Sequence, residues 1–86
     1  METHEVIKYP LSTEKAVRLM ESENKLLFVV DIKANKKQIK EAIELMFKTK
    51  VENVSTFISP KGDKKAYVKF AKEKPAIDIA TELGLI

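Results

Sequence analysis

The length, composition and charge of this chain already exclude several classes of protein. With 86 residues and no cysteine, we expect one domain over residues 1–86, without disulfides or a thiolate metal site. No apolar run reaches the length of a transmembrane helix, and the acidic, polar segment Met1–Glu5 is unlike a signal peptide. We therefore expect a cytosolic protein with one small core and no deep internal pocket.

Basic residues are concentrated in the middle of the chain. The net charge is +3, but residues 32–74 hold twelve lysines against five acidic residues, a net charge of +7. Residues 1–31 hold four basic and six acidic residues, and residues 75–86 add two acidic ones. A basic middle between acidic ends indicates a surface for a polyanion. A lysine- and glutamate-rich surface that serves solubility would give the same composition.

A short strand and a helix are predicted near the start of the chain. Glu5–Tyr9 has the pattern of a strand, which Pro10 is expected to stop. Ser12 or Thr13 can cap the following helix, and Glu14 adds a negative charge to its first turn, where the helix dipole favours one. The apolar stripe of this helix is short and consists of Ala16, Leu19 and Met20.

The strongest predicted strand is Lys25–Ile32. Both of its faces are apolar, one carrying Leu26, Phe28, Val30 and Ile32, the other Leu27 and Val29. Such a strand belongs inside a sheet that is covered on both sides. We therefore expect helices over both faces of the sheet.

The clearest helix begins after Asn35 and ends near Lys48. Asn35 is a natural N-cap, and the side chain of Gln38, three residues later, can close a capping box. One face of the helix has the spacing of a core face and consists of Ile39, Ala42, Ile43, Met46 and Phe47.

Three lysines crowd the first turns of this helix, where its dipole disfavours positive charge. They are Lys36, Lys37 and Lys40. Ammonium groups beside free backbone N–H groups can bind an anion. Three solvated lysines on a surface helix are the simpler interpretation at this point.

A β-hairpin and a final helix are predicted in the last third of the chain. Val51–Ser59 and Lys64–Phe70 are strands joined by a turn at Pro60–Asp63. Pro75 and Gly84 suit the first turn and the C′ position of the helix. Its expected apolar face consists of Ile77, Ala80 and Leu83, after which Leu85 and Ile86 either pack back or fray.

The second hairpin strand alternates between inward and outward side chains. Ala66, Val68 and Phe70 are expected in the core, and Lys65, Tyr67 and Lys69 on the outer face, with Lys64 at the start of the strand. Lysines beside an aromatic ring suit contacts with phosphates and stacking on a base or sugar. An ordinary solvent-facing strand explains the pattern equally well.

The predicted order of elements is β-α-β-α-β-β-α, an α+β fold in which the hairpin requires an antiparallel pair. Catalysis has little support, because His4 is the single histidine and only two glycines are present. We expect no enzyme, no cofactor and no metal site.

Four stretches, in order, resemble the universal large-subunit ribosomal protein L23 family, over about Val6 to Ile79. They are Pro10–Lys15, similar to P-x-[ST]-E-K with one extra residue; Asn24–Val30, similar to N-K-Y-x-F-x-V; Ala34–Glu44 with Phe47, Val51 and Val54–Thr56, similar to A-[NT]-K-x-x-I-K-x-A-[VI]-E…F…V…V-N-T; and Lys64–Phe70, similar to K-K-A-Y-V-x-L.

This resemblance implies a four-stranded antiparallel sheet of strand order 1-2-4-3, packed with helices. It implies binding to large-subunit (23S) rRNA near the polypeptide exit tunnel, among neighbouring large-subunit ribosomal proteins. It also implies a docking site for nascent-chain factors such as signal recognition particle and the protein-conducting channel, in which Glu14 matches the acidic residue used. We therefore expect a cytoplasmic, ribosome-bound protein that does not insert into membranes and is a monomer when free.

The resemblance makes the lysines candidate rRNA contacts. The principal candidates are Lys33, Asn35, Lys36, Lys40, Lys64, Lys65, Tyr67 and Lys69, and the secondary ones are Lys8, Ser12 and Lys15. Lys37 matches a variable position of the motif and is left out. The alternative is a ferredoxin-like protein–protein interaction module whose lysines are merely solvated.

One segment differs from the bacterial members of the family. They carry a long basic loop between the last two strands, whereas only Ser59–Asp63 joins them here. The chain thus resembles the archaeal-type short form. The short turn argues against a tunnel-lining role and against the bacterial ribosome-bound chaperone as a partner.

Overall fold

The computed structural model describes residues 3–84, and the side chains of residues 5–84. Its elements are α1 (Thr3–Val6), β1 (Ile7–Leu11), α2 (Glu14–Glu23), β2 (Lys25–Val30), α3 (Lys36–Phe47), β3 (Val51–Ile58), β4 (Lys64–Phe70) and α4 (Ala76–Glu82). The predicted order is confirmed, with the four-residue helix α1 added before the first strand. The side chain of His4, and Leu85 and Ile86 altogether, lie outside the described residues.

The four strands form one antiparallel sheet in the order β1-β2-β4-β3. This is the arrangement that the family resemblance implies. It places β2 and β4 inside the sheet and β1 and β3 at its edges. Leu27 of β2 lies opposite Tyr67 of β4, and Phe57 of β3 lies opposite Lys65 of β4.

The first strand lies two residues further along the chain than predicted. Glu5 and Val6 belong to α1, and the strand continues through Pro10 to Leu11. Proline is tolerated here because β1 is an edge strand, and on the free side of an edge strand no backbone donor is needed. The prediction that Pro10 stops the strand is therefore wrong.

The main core lies on one face of the sheet. Leu26, Phe28 and Val30 of β2 pack there with residues of α2, α3 and α4. The prediction that helices cover both faces is wrong, because the other face of β2, with Leu27 and Val29, lies outside that core. β2 also ends at Val30, so Ile32, expected to face the core, is 52% exposed.

Leu27 and Val29 are buried without a helix above them. In the register of the sheet, Leu27 lies between Leu11 and Tyr67, and Val29 lies between Tyr9 and Lys65. Long side chains on both neighbouring strands therefore shield these two residues from water. This is why β2 has the sequence of a doubly covered strand although one face of the sheet is open.

Two residues expected in the core are exposed instead. Met46 of α3 is 43% exposed and Ile77 of α4 is 48% exposed. In α4 the Ala76 N–H donates to Asn24 Oδ1 at 2.6 Å, which fixes the start of the helix. The buried sides of the two helices consist of Ile39, Ala42, Ile43 and Phe47 in α3, and of Ala76, Ile79 and Ala80 in α4.

The two longest helices, α2 and α3, have the predicted type of cap. At α3, the Gln38 N–H donates to Asn35 Oδ1 at 2.8 Å and the Asn35 N–H donates to Gln38 Oε1 at 3.0 Å. At α2 the cap is Thr13, whose hydroxyl oxygen accepts the Ala16 N–H at 3.1 Å. Ser12 is thereby left uninvolved in capping.

Asn24 joins the ends of three elements. It terminates α2 in the left-handed conformation, with φ of 59°. Its side-chain amide donates to the Phe70 carbonyl at the end of β4, at 2.8 Å, and its Oδ1 accepts from the start of α4. Asparagine suits this position because it tolerates positive φ and its side chain can both donate and accept.

Candidate nucleic-acid interface

The face of the sheet opposite the core carries lysines and aromatic rings over an aliphatic floor. We call it the open face; it consists of Tyr9, Leu27, Val29, Asn53, Ser55, Phe57, Lys65, Tyr67 and Lys69. The outward orientation predicted for alternate residues of β4 is confirmed. Lys65, Tyr67 and Lys69 are half-buried, because their stems lie against neighbouring strands while their polar ends reach solvent.

Tyr9 reaches the open face through a bulge. Ile7 lies opposite Val30 and Tyr9 lies opposite Val29, so two steps on β1 match one on β2. This irregularity turns Ile7 into the core and Tyr9 outward, where it is 51% exposed. The alternation within β1 alone would have placed both side chains on the same face.

Phe57 and Tyr67 form a stacked pair on the open face. Their ring centroids lie 5.4 Å apart with an interplanar angle of 24°. Phe57 was missing from the candidates derived from the sequence. The alternation of side chains along β3 could have identified it. Val54 and Thr56 face inward, so Phe57 must face outward, on the same side of β3 as Asn53 and Ser55.

A lysine-lined groove runs between the start of α3 and the edge strand β3. Lys36, Lys37 and Lys40 line it from the helix, and Glu52, Asn53 and Val54 line it from the strand. Asn53 also lies opposite Lys69 of the open face. The groove and the open face therefore adjoin along β3, and together we call them the basic edge.

Two of the predicted contacts also hold the fold together. The Lys64 ammonium donates to the Ala34 carbonyl at 2.6 Å, which ties β4 to the segment before α3. The Asn35 side chain is engaged in the capping box. Lys33 lies exposed beside them, with its N–H bound to Asp31 Oδ1 at 2.8 Å.

The described residues offer little else for chemistry. Among the side chains of residues 5–84, no three of the metal-ligating kinds His, Cys, Asp and Glu converge on one point. In the same range, no helix combines the length and the apolar character needed to cross a membrane.

A comparison with protein families identifies the family of this chain. The family model described as Ribosomal protein L23 matches residues 5–77, more than four fifths of the chain. The chain belongs to the ribosomal protein L23 family. It is accordingly an RNA-binding structural protein of the large ribosomal subunit, of a non-enzymatic kind, and it acts in translation as part of the ribosome.

The secondary candidates of this L23 family member lie at the opposite edge of the sheet from the lysine-lined groove. Lys8 is the bulged residue of β1, and Ser12 and Lys15 lie around the start of α2, which follows β1. All three are exposed. Because β1 and β3 are opposite edges of the sheet, these residues would meet a different part of any large partner.

Glu14, the predicted docking residue, is also on that distant side. It lies in the first turn of α2 and accepts a hydrogen bond from Arg18 at 2.8 Å. The two side chains are 83% and 77% exposed. An ion pair this exposed contributes little to stability, so both residues are available to a partner.

Proposed function

We propose that this L23 family member binds 23S rRNA near the polypeptide exit tunnel through its basic edge. The observation that carries the proposal is the meeting of groove and open face along β3. Lysines from α3 and from β4, distant in sequence, thereby form one continuous surface. A phosphate backbone that follows the edge can contact both groups at once.

The balance of charge along the basic edge favours a polyanion. Glu52 is the acidic residue in the groove, and it lies 3.8 Å from the Lys69 ammonium, which offsets its charge. Lys36, Lys40 and Lys65 make no side-chain hydrogen bond or ion pair with any described residue. Their ammonium groups are therefore free to contact phosphates.

A titration of the full chain with a 23S rRNA fragment, by filter binding at several salt concentrations, tests this proposal. We expect the logarithm of the association constant to fall steeply and linearly with the logarithm of salt concentration, because bound phosphates release counterions. The protein should also co-sediment with large subunits after a moderate salt wash. No measurable RNA binding at low salt would favour the protein–protein module instead.

We also propose that Glu14 contributes to a docking site for signal recognition particle and the protein-conducting channel. Support comes from its match to the family motif and from its exposure after β1, at the opposite edge of the sheet from the groove. A residue there can remain accessible while the opposite edge binds rRNA. The five-residue connection Ser59–Asp63 between β3 and β4 further supports an archaeal-type form without a tunnel-lining loop.

Replacing Glu14 with glutamine should weaken the binding of signal recognition particle to ribosomes that contain the variant. We expect up to about a fivefold loss, since an exposed ion pair is worth at most about 1 kcal/mol. The matched control is Glu21→Gln, an exposed residue of the same helix with the same change in charge. Equal effects of the two variants in a pelleting assay would contradict a specific role for Glu14.

A further inference from the structure

We propose that the open face holds an unpaired nucleotide of the RNA, whose base stacks on the ring of Phe57. This inference rests on the proposed rRNA binding and assigns to it a residue and a kind of contact. The phosphate contacts proposed above need only charge. A stacked base additionally requires an exposed aromatic face and RNA whose bases are not paired.

The position of Phe57 leaves one side of its ring for a ligand. On the inner side lies Tyr67, at a centroid distance of 5.4 Å. On the outer side no further strand of the described residues follows, because β3 is the edge of the sheet. Phe57 is 39% exposed, so a base can extend the stack outward by one ring. Tyr67, half-buried beside Leu27, acts as a positioning residue that keeps the Phe57 ring in place.

A cation lies where the phosphate of such a nucleotide would be. Lys65 is the register partner of Phe57, and directly opposed residues share one face of a sheet at close distance. The carboxylates of Glu23 and Glu52 lie within 3.3 Å and 3.8 Å of the ammonium groups of Lys25 and Lys69. Lys65 has no such partner among the described residues, so its charge is available to a phosphate.

Base stacking distinguishes this contact from binding to the groove of a duplex. In the interior of a duplex both faces of each base are covered by neighbouring bases, so the Phe57 ring has no base to stack on there. We therefore expect the ring to matter for single-stranded RNA and not for double-stranded RNA. Lysine contacts with phosphates should matter for both.

The test compares Phe57→Leu with the wild-type chain on two labelled probes, the oligonucleotide rU10 and a 12-base-pair RNA duplex. Leucine keeps an apolar side chain at this exposed site but removes the aromatic face. We expect Phe57→Leu to weaken binding to rU10 about 5- to 150-fold, the range for loss of one base–aromatic stack. The affinity of this variant for the duplex should stay within about twofold of wild type. The salt dependence of its binding to rU10 should be the same as for the wild type.

Two control variants separate the ring from the charge. Phe57→Tyr keeps the aromatic face and should bind rU10 like the wild type. Lys65→Gln should weaken binding to both probes and reduce the salt dependence. Circular dichroism should show the same fold for all variants.

A second readout locates the base directly. With 5-iodouridine in rU10, irradiation should crosslink the RNA to Phe57, as identified by mass spectrometry. Crosslinks confined to other residues would overturn the inference. So would rU10 binding within twofold of wild type in Phe57→Leu, or an equal loss on the duplex. If the inference is overturned in this way but the wild-type protein still binds the 23S rRNA fragment, the proposed function is unaffected. If the wild-type protein binds no RNA at all, both proposals are wrong.

Discussion

Replacement of Lys36, Lys40 and Lys65 by glutamine is expected to lower the affinity for a 23S rRNA fragment about 100-fold at 0.1 M salt. These three exposed or half-buried lysines lie on the two parts of the basic edge. Each lost phosphate contact also removes about 0.7 from the salt-dependence slope, so the slope should become shallower by about 2. Filter binding across a salt series measures both quantities.

The control for this experiment removes the same charge elsewhere. Lys50, Lys61 and Lys72 are exposed and lie outside the groove and the open face. Their replacement by glutamine changes the net charge equally and should cost only a few-fold in affinity. Equal losses in the two triple variants would show that net charge alone drives binding, and would contradict the assignment of the basic edge.

Two other candidate lysines, Lys64 and Lys69, are left unchanged because their loss would confuse the result. Lys64 donates to the Ala34 carbonyl, so its removal would loosen the start of α3. Lys69 is paired with Glu52, and its removal would leave an unpaired carboxylate in the groove. The loss of affinity could then come from either cause.

Replacement of Asn24 by alanine is expected to destabilise the protein by about 3 kcal/mol. The change removes the hydrogen bond to the Phe70 carbonyl and leaves the Ala76 N–H without its acceptor. It also places alanine at a φ of 59°, where a Cβ is unfavourable. For a domain of this size the midpoint of thermal unfolding should fall by about 15 °C. Urea unfolding followed by circular dichroism measures the free energy directly.

Asn24→Gly separates the two causes of this destabilisation. Glycine loses the same hydrogen bonds but adopts positive φ freely, so it should be more stable than the alanine variant by about 1 kcal/mol. Asn53→Ala, at an exposed position of β3, should change stability by less than about 0.5 kcal/mol. A loss below about 1 kcal/mol in Asn24→Ala would show that these bonds do not hold the three elements together.

The order and type of the main elements could be predicted from the sequence because their signals are local. The capping box at Asn35, the spacing of Ile39 and Ile43, and the alternation of Lys64–Phe70 each involve a few neighbouring residues. Propensity, capping and periodicity act over one or two turns or strand steps. The resemblance to the L23 family also depends only on the sequence, since it rests on four ordered stretches of such residues. The family match over residues 5–77 confirms it.

The errors arose where packing between elements decided the outcome. Pro10 remains in β1 because the sheet places that strand at an edge, a fact no local signal contains. Met46 and Ile77 have core spacing, yet the orientation of α3 and α4 against the sheet leaves them exposed. Leu27 and Val29 indicated a second helical layer, but side chains of adjacent strands bury them instead.

The lysine-rich start of α3 and the outer face of β4 were evident as separate features of the sequence. The sequence by itself determined that both regions are basic. Together with the family motif, it made both of them candidate rRNA contacts. Only the tertiary structure decided that they meet along β3 and that Phe57 stacks beside Tyr67. The physical reason is that strand order and register bring together side chains distant in the chain, and these depend on the burial of the whole core.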